Sequence, residues 1–146
     1  GNIKVTETSS VEINEDPQYS DVGKSLKFTI KPVIVGDPVL DTIFTPSIKI
    51  PVSLFQEDVK FTDMSTLNFF IYNPGDQYVV TVKLYSGGSY ALCGNYVVAP
   101  GQNRIVLSID GIRYSRLDRI DTIAIEFENA GTQYVAYIDS MYAEMK

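Results

Sequence analysis

The clearest pattern in the chain is an alternation of hydrophobic and polar side chains with a period of two. Two such runs flank the turn sequence Asn73-Pro74-Gly75-Asp76. A period of two is typical of β-strands that have one face in the core. The turn between the runs predicts an antiparallel hairpin. Its predicted core-facing residues are Leu67, Phe69, Ile71, Val80, Val82 and Leu84.

Shorter alternating segments are found along most of the chain. They cover residues 23–30, 96–99, 104–109, 123–128 and 134–142. Residues 1–20 predict one or two edge strands, and residues 36–66 are irregular and interrupted by proline. No segment of useful length has a helical period. Eight or nine short strands with turn residues between them predict an all-β protein, either a sandwich or a barrel.

Length and charge narrow the possible partners. The chain has 146 residues, which suits one domain over residues 1–146, with residues 1–10 as a flexible or edge segment. Its net charge of −6 disfavours nucleic acid and anionic membrane surfaces. No apolar run reaches the length of about 18 residues that membrane insertion requires. The chain begins at Gly1 and not at Met, which suggests that a native beginning, such as a secretion signal, has been removed.

Catalysis by histidine is excluded by the residue types. The chain contains no histidine, so Ser-His-Asp and Cys-His sites are impossible and a zinc site is disfavoured. Cys93 lies in an apolar context and is predicted to be a small buried residue. Glu126 and Glu128 share one face of a predicted strand. Their carboxyl groups could have the separation of the two acids of an inverting glycosidase. A solvated strand face explains them more simply.

The face of the predicted hairpin opposite the core is a candidate binding surface. Aromatic rings beside hydrogen-bonding groups suit a sugar, because the rings pack on its C–H face and the polar groups bond its hydroxyls. The alternative is that these aromatics lie beneath residues 36–66 or at an interface. A second candidate surface consists of loop residues Tyr90, Arg113, Tyr114 and Arg116. The predicted ligand-binding residues are Asn68, Phe70, Tyr72, Lys83, Tyr85 and Glu126.

Several segments resemble carbohydrate-binding modules with the galactose-binding-like jelly-roll fold. They are residues 23–27 (GKSLK), 67–73 (LNFFIYN), 98–103 (VAPGQN), 120–125 (IDTIAI) and 137–140 (YIDS). The order and spacing of these segments carry the resemblance, which extends over about residues 11–142. It implies a two-sheet antiparallel β-sandwich. Modules of this family usually form part of secreted bacterial polysaccharide-degrading enzymes or surface proteins, alongside other domains.

The resemblance also implies a structural Ca²⁺ ion between the N-terminal segment and the last strand. Glu12 and Asp139 are the positions that would supply its carboxylates, and backbone carbonyls would complete the shell. The competing interpretation is a solvated Glu12 and an Asp139 that caps a strand end. The chain departs from many such modules in having no tryptophan, although it has 10 tyrosines.

We therefore predict a non-catalytic carbohydrate-binding module of a secreted or cell-surface bacterial protein. The alternative is a structural or protein-interaction domain of a larger surface protein, without a sugar site. A small glycosidase that uses Glu126 and Glu128 is the third hypothesis.

Overall fold

The alternating segments form β-strands in the computed structural model, which describes residues 4–5, 10–16, 25–31, 46–52, 60–128 and 133–146. Two short 3-10 turns, Phe61–Asp63 and Leu117–Arg119, are the helical elements of this part of the chain. The strands are β1 (Lys4–Val5), β2 (Ser10–Asn14), β3 (Ser25–Ile30), β4 (Ser47–Pro51), β5 (Met64–Asn73), β6 (Tyr78–Ser86), β7 (Ser89–Val98), β8 (Gly101–Ser108), β9 (Thr122–Phe127) and β10 (Tyr134–Met145).

These strands form two five-stranded sheets. Sheet 1 has the order β1-β4-β9-β6-β7, and sheet 2 has the order β2-β3-β10-β5-β8. All the pairings are antiparallel. Most connections between consecutive strands cross from one sheet to the other. The prediction of a two-sheet antiparallel sandwich is therefore confirmed.

The core lies between the two sheets and is built from one face of each. The residues predicted to face the core are buried, with Leu67 at 2% exposure and the others at 0%. Aliphatic and aromatic side chains from other strands complete the core, among them Phe28, Ile105, Ile123 and Phe127. Burying this apolar surface is the main force that holds the sheets together.

The predicted hairpin between β5 and β6 is wrong. Strand β5 pairs with β10 and β8 in sheet 2, whereas β6 pairs with β7 and β9 in sheet 1. Pro74 restricts its own φ to negative values, while a two-residue hairpin turn needs positive φ at its first central position. The buried Asn73 instead builds a corner: its Oδ1 accepts a hydrogen bond from the Gly75 amide at 2.9 Å, and its Nδ2 donates to the Asp76 and Val98 carbonyls.

The true hairpin of this region connects β6 to β7 through Gly87 and Gly88. Strand β7 is much longer than the predicted segment 96–99, because residues from Ser89 onward pair with β6. Gly87 has φ of +60°, a value that a two-residue hairpin turn requires and that glycine adopts easily.

Residues 4–5 and 10–14 form edge strands of the two sheets. Strand β1 pairs with β4 at one edge of sheet 1, and β2 pairs with β3 at one edge of sheet 2. Among the described residues, no helix is long and apolar enough to cross a membrane.

Candidate functional site

The predicted ligand-binding residues lie on two opposite faces of the sandwich. Asn68, Phe70 and Tyr72 alternate with the core-facing residues of β5 and lie on the outer face of sheet 2, while Lys83, Tyr85 and Glu126 lie on the outer face of sheet 1. The prediction of one shared surface is wrong. That prediction assumed a hairpin between β5 and β6, and these two strands belong to different sheets.

The outer face of sheet 1 brings aromatic and charged residues together through its strand register. Tyr85 of β6 lies opposite Tyr90 of β7, and Lys83 lies opposite Leu92. On the other side of β6, Glu126 of β9 lies opposite Thr81 of β6. Thr81 in turn lies opposite Asn95 of β7. We define the sheet-1 platform by the residues Lys49, Lys83, Tyr85, Tyr90, Leu92 and Glu126.

Two tyrosines form the centre of the sheet-1 platform. The ring centroids of Tyr85 and Tyr90 lie 5.3 Å apart with an angle of 43° between the rings. The Lys83 ammonium lies 4.4 Å from the centroid of Tyr90, and the Lys49 ammonium lies 5.5 Å from that of Tyr85. These distances are within the range of cation–π attraction. Tyr90 remains 49% exposed, so the cluster keeps aromatic surface available for a ligand.

An ion pair orders the polar side of the sheet-1 platform. Lys83 Nζ lies 3.0 Å from Glu126 Oε1, and each side chain is 19% exposed. Burial alone lowers the pKa of Lys83, but the hydrogen bond and charge of Glu126 outweigh burial and raise the pKa above its ordinary value. Burial, and after it the Glu126 charge, raise the pKa of the Tyr85 phenol. Tyr85 therefore keeps its proton at neutral pH and can donate a hydrogen bond.

A pocket adjoins the sheet-1 platform at the side of the sandwich, between β7 and the loop that follows β8. Its volume is about 480 Å³, within the range of small-molecule sites. Tyr90 contributes to both the pocket and the sheet-1 platform. Of the predicted loop surface, the pocket contains Tyr90, Arg113 and Tyr114 but not Arg116. The lining residues are Tyr90, Ala91, Leu92, Cys93, Ser108, Gly111, Ile112, Arg113 and Tyr114.

Cys93 lies in the wall of this pocket and is half-buried. Burial raises the pKa of its thiol to about 12. The thiol therefore stays protonated at neutral pH. The sequence predicts a small buried residue, whereas the structure leaves Cys93 half-buried, with a protonated thiol that is a poor nucleophile.

The outer face of sheet 2 uses Asn68 for structure. Asn68 has 0% exposure. Its Nδ2 donates to Thr66 Oγ1 at 2.9 Å and to Glu144 Oε1 at 3.1 Å, and its Oδ1 accepts from Arg104 at 3.1 Å. A fully bonded and buried amide has no group left for a sugar, so the structure argues against the predicted ligand contact of Asn68.

Phe70 and Tyr72 are half-buried on the same face of sheet 2. Tyr72 meets the ring of Tyr137 edge-on, with centroids 6.3 Å apart at 73°. Tyr137 is only 8% exposed although it belongs to this outer face. The alternative prediction, a cover by residues 36–66, concerns positions that lie mostly outside the described residues.

The predicted calcium ligands lie on the outer face of sheet 2, but not on neighbouring strands. Glu12 is on β2 and Asp139 is on β10, with β3 between them. Two strand spacings correspond to roughly 9–10 Å. Lys27 of the intervening strand lies 3.5 Å from Glu12 and occupies the space on that side. In the described part of the chain, no three acidic or cysteine side chains group as metal ligands would. These contacts do not fit a Ca²⁺ ion shared by Glu12 and Asp139, and calcium binding stays a prediction.

The two acids of the glycosidase hypothesis are placed differently from each other. Glu126 pairs with Lys83, whereas Glu128 follows the end of β9 and is exposed. Only Glu126 thus lies on the outer face of sheet 1. Hydrolysis needs two carboxyl groups that flank the scissile bond, so this arrangement suits binding better than cleavage.

Comparison with known proteins identifies the fold. No protein-family model matches the sequence, and no curated protein matches it at the sequence level. Solved structures do match. The chain has the jelly-roll fold of carbohydrate-binding modules.

Three of these structures illustrate the likeness. One is the family 11 carbohydrate-binding module from Clostridium thermocellum in complex with a β-1,3-1,4-mixed-linked tetrasaccharide. It is 12% identical over 97% of this chain and 86% of that chain, with a TM-score of 0.61. A carbohydrate-binding module of family 28 specific for non-crystalline cellulose is 10% identical over 93% of this chain and 82% of that chain, with a TM-score of 0.62. An exo-β-agarase is 12% identical over 99% of this chain and 23% of that chain, with a TM-score of 0.68.

Sequence reasoning missed Tyr90, Leu92 and Lys49 as parts of the sheet-1 platform. A signal for the first two was present, because Gly87-Gly88 between two strand-like runs is a hairpin sequence. That hairpin places Tyr90 directly opposite Tyr85. Lys49 had no such signal, since it reaches Tyr85 only because β4 is held in sheet 1 by β9.

Proposed function

We propose that this chain is a non-catalytic carbohydrate-binding module and that the sheet-1 platform binds polysaccharide. The observation that carries the proposal is the pair of neighbouring, partly exposed rings of Tyr85 and Tyr90 on the outer face of sheet 1. Adjacent tyrosine rings offer flat apolar surface to the C–H faces of sugar rings, with hydroxyls at their tips. Lys83 and Glu126 supply charged hydrogen-bonding groups beside the rings.

The jelly-roll likeness supports the proposal. One similar module is in complex with a mixed-linked tetrasaccharide, and another is specific for non-crystalline cellulose. A module of this kind acts outside the cell, where polysaccharides are found. We therefore propose a secreted or cell-surface bacterial location, with further domains beside this one, since in the exo-β-agarase the similar part is 23% of a longer chain.

Affinity gel electrophoresis with soluble polysaccharides tests the proposal. The gels contain mixed-linked β-glucan, hydroxyethyl cellulose, agarose or polygalacturonate. We expect at least one polysaccharide to retard the chain. Tyr85→Ala and Tyr90→Ala should each weaken the binding about fivefold, since an aromatic contact contributes on the order of 1 kcal/mol.

Tyr142→Ala is the matched control. Tyr142 is 41% exposed and lies on the outer face of sheet 2, so its loss should leave binding unchanged. Thermal melts of each variant show whether it remains folded. If no polysaccharide retards the chain, or if Tyr142→Ala weakens binding as much as Tyr90→Ala does, the sheet-1 platform is not the sugar site.

A protein partner is the second candidate, and one observation favours it. Leu92 and Val97 on the edge strand β7 are 57% and 58% exposed, and apolar residues on an edge strand suit protein contacts. If this function is correct, no glycan should retard the chain. The chain should instead bind another protein of the same cell surface, and Leu92→Ser should disrupt that binding.

A further inference from the structure

The pocket beside the sheet-1 platform extends the binding surface around the side of the sandwich. Tyr90 lies on the outer face of sheet 1 and also lines the pocket. A polysaccharide that lies on Tyr85 and Tyr90 would therefore reach the pocket with its next sugar residue. The inference below rests on the proposed function of the sheet-1 platform.

The charge of the pocket differs from the charge of the whole chain. Arg113 is the charged residue among the described lining residues, and no carboxylate is among them. Arg113 is exposed, and the described part of the chain shows no ion pair to it. The acids on either side of Arg113 in the sequence have other partners: Asp110 lies 3.2 Å from Lys146 and Asp118 lies 3.6 Å from Arg119.

Hydroxyl groups accompany Arg113 in the pocket. Tyr114 donates its hydroxyl hydrogen to Ser89 Oγ at 2.7 Å, which holds the phenol ring in the wall. The Tyr114 oxygen can still accept a hydrogen bond, and the hydroxyls of Tyr90 and Ser108 can donate one. A pocket lined by a guanidinium group, several hydroxyls and two aromatic rings suits a sugar that carries a carboxylate.

The sheet-1 platform continues the positive charge. Lys49 and Lys83 lie against its two tyrosines, and its one acid, Glu126, is paired with Lys83. The platform and pocket together thus carry three cations and one anion, on a chain whose net charge is −6. The net negative charge of the chain would repel an anionic polymer. The local group of cations on the platform and in the pocket therefore has to provide the attraction.

We propose that the pocket binds a uronic acid residue and that the natural ligand is an acidic polysaccharide. The sugar carboxylate pairs with Arg113, the ring lies between Tyr90 and Tyr114, and the neighbouring residues of the polymer pack on the sheet-1 platform. Arginine pairs with a carboxylate through two parallel hydrogen bonds, which makes the contact selective for the acid over the neutral sugar.

Affinity electrophoresis of the whole chain on polygalacturonate and on neutral mixed-linked β-glucan tests this assignment. The key variant is Arg113→Gln, and the matched control is Arg116→Gln, which removes the same charge from the same loop outside the pocket. We expect polygalacturonate to bind more tightly than β-glucan. Arg113→Gln should weaken polygalacturonate binding about tenfold or more, since a hydrogen bond to a charged group is involved. Arg116→Gln should leave it within about twofold.

The outcomes separate this inference from the proposed function. If β-glucan binds as tightly as polygalacturonate and Arg113→Gln changes neither, the uronate site is wrong while the sugar-binding platform stands. Equal losses from both arginine variants, or equally tight binding of single-stranded DNA, mean unspecific attraction and also overturn the site. If neither polysaccharide nor any of the other glycans retards the chain, the proposed function fails together with the uronate site.

Discussion

Lys83 Nζ and Glu126 Oε1 lie 3.0 Å apart on neighbouring strands of sheet 1, and both side chains are mostly buried. The pair joins β6 to β9 beside the two platform tyrosines. Glu126→Gln should therefore reduce the free energy of unfolding by about 1 kcal/mol at pH 7. This value is the largest that exposed ion pairs usually contribute, because the Lys83–Glu126 pair is less exposed than most. Urea denaturation measures the change.

The pH dependence of this difference gives a second readout. Glu126 raises the pKa of Lys83 in the folded chain, so the contribution of the pair is complete below the pKa of an unfolded lysine. It is lost as the pH rises through the raised folded pKa. The gap between the parent chain and Glu126→Gln should narrow at strongly alkaline pH. A gap that is constant with pH, or a double variant with Lys83→Gln that shows simple additivity, would mean that the pair contributes nothing.

Asn73 is predicted to be a key stabilising residue of the corner between the two sheets. Asn73→Ala removes hydrogen bonds to the Asp76 and Val98 carbonyls and to the Gly75 amide. Unpaired backbone groups at a buried position cost about 1–3 kcal/mol. Asn95→Ala, which removes an exposed bond to Thr81, should cost less than about 1 kcal/mol. Equal effects of the two substitutions in chemical denaturation would contradict the role of this corner.

Gly101 and Gly88 allow the cost of backbone strain to be measured without steric clashes of an added side chain. A Cβ atom at either position meets no atom within 4 Å, but Gly101 has φ of +96°. Gly101→Ala should therefore destabilise the chain by about 1–2 kcal/mol through strain alone. Gly88→Ala should change stability by less than about 0.5 kcal/mol. Thermal melts that rank the two variants in the opposite order would exclude this explanation.

Cys93 should be protected from alkylation in the folded chain. Its pKa rises from 9.0 to about 12 because of burial, so its thiolate fraction at pH 8 is about 1,000-fold below that of an unfolded cysteine. Iodoacetamide labelling followed by mass spectrometry should be correspondingly slow in buffer and fast in urea. Because the folded pKa is raised, the protonated thiol favours folding below pH 9.0, and this contribution is lost as the pH rises from 9.0 to about 12. Rapid labelling of the folded chain at pH 8 would show that the thiol is not buried.

Calcium binding can be tested through stability. If Asp139 holds a Ca²⁺ ion, thermal melts should shift to higher temperature with CaCl₂ and to lower temperature with EDTA, because a ligand of the folded state stabilises it. Asp139→Ala should remove the shift. Glu12→Ala should not, since Glu12 pairs with Lys27 and β3 separates it from Asp139. Identical melts in CaCl₂ and EDTA would exclude the ion.

Local patterns in the sequence determined most of the strands and their buried faces, although they missed the first part of β7. Residues such as Phe69, Ile71, Val82 and Leu84 could be assigned to the core because alternation with a period of two reflects the geometry of a single strand. The class of fold followed from many short strands and the absence of a helical period. These features depend on neighbouring residues, and a sequence displays neighbours directly.

Only the tertiary structure decided which strands lie side by side. The alternation of β5 and β6 is equally compatible with one sheet or two, and the choice depends on the corner that Asn73 builds with the carbonyl of the distant Val98. The candidate site depends on that choice. Tyr72 and Tyr85 lie on opposite faces, Tyr85 meets Tyr90 across the Gly87-Gly88 hairpin, and Lys49 reaches Tyr85 through β9. Contacts between residues far apart in sequence carry no periodic signal, which is why the sequence alone could assign the faces of each strand but not assemble the site.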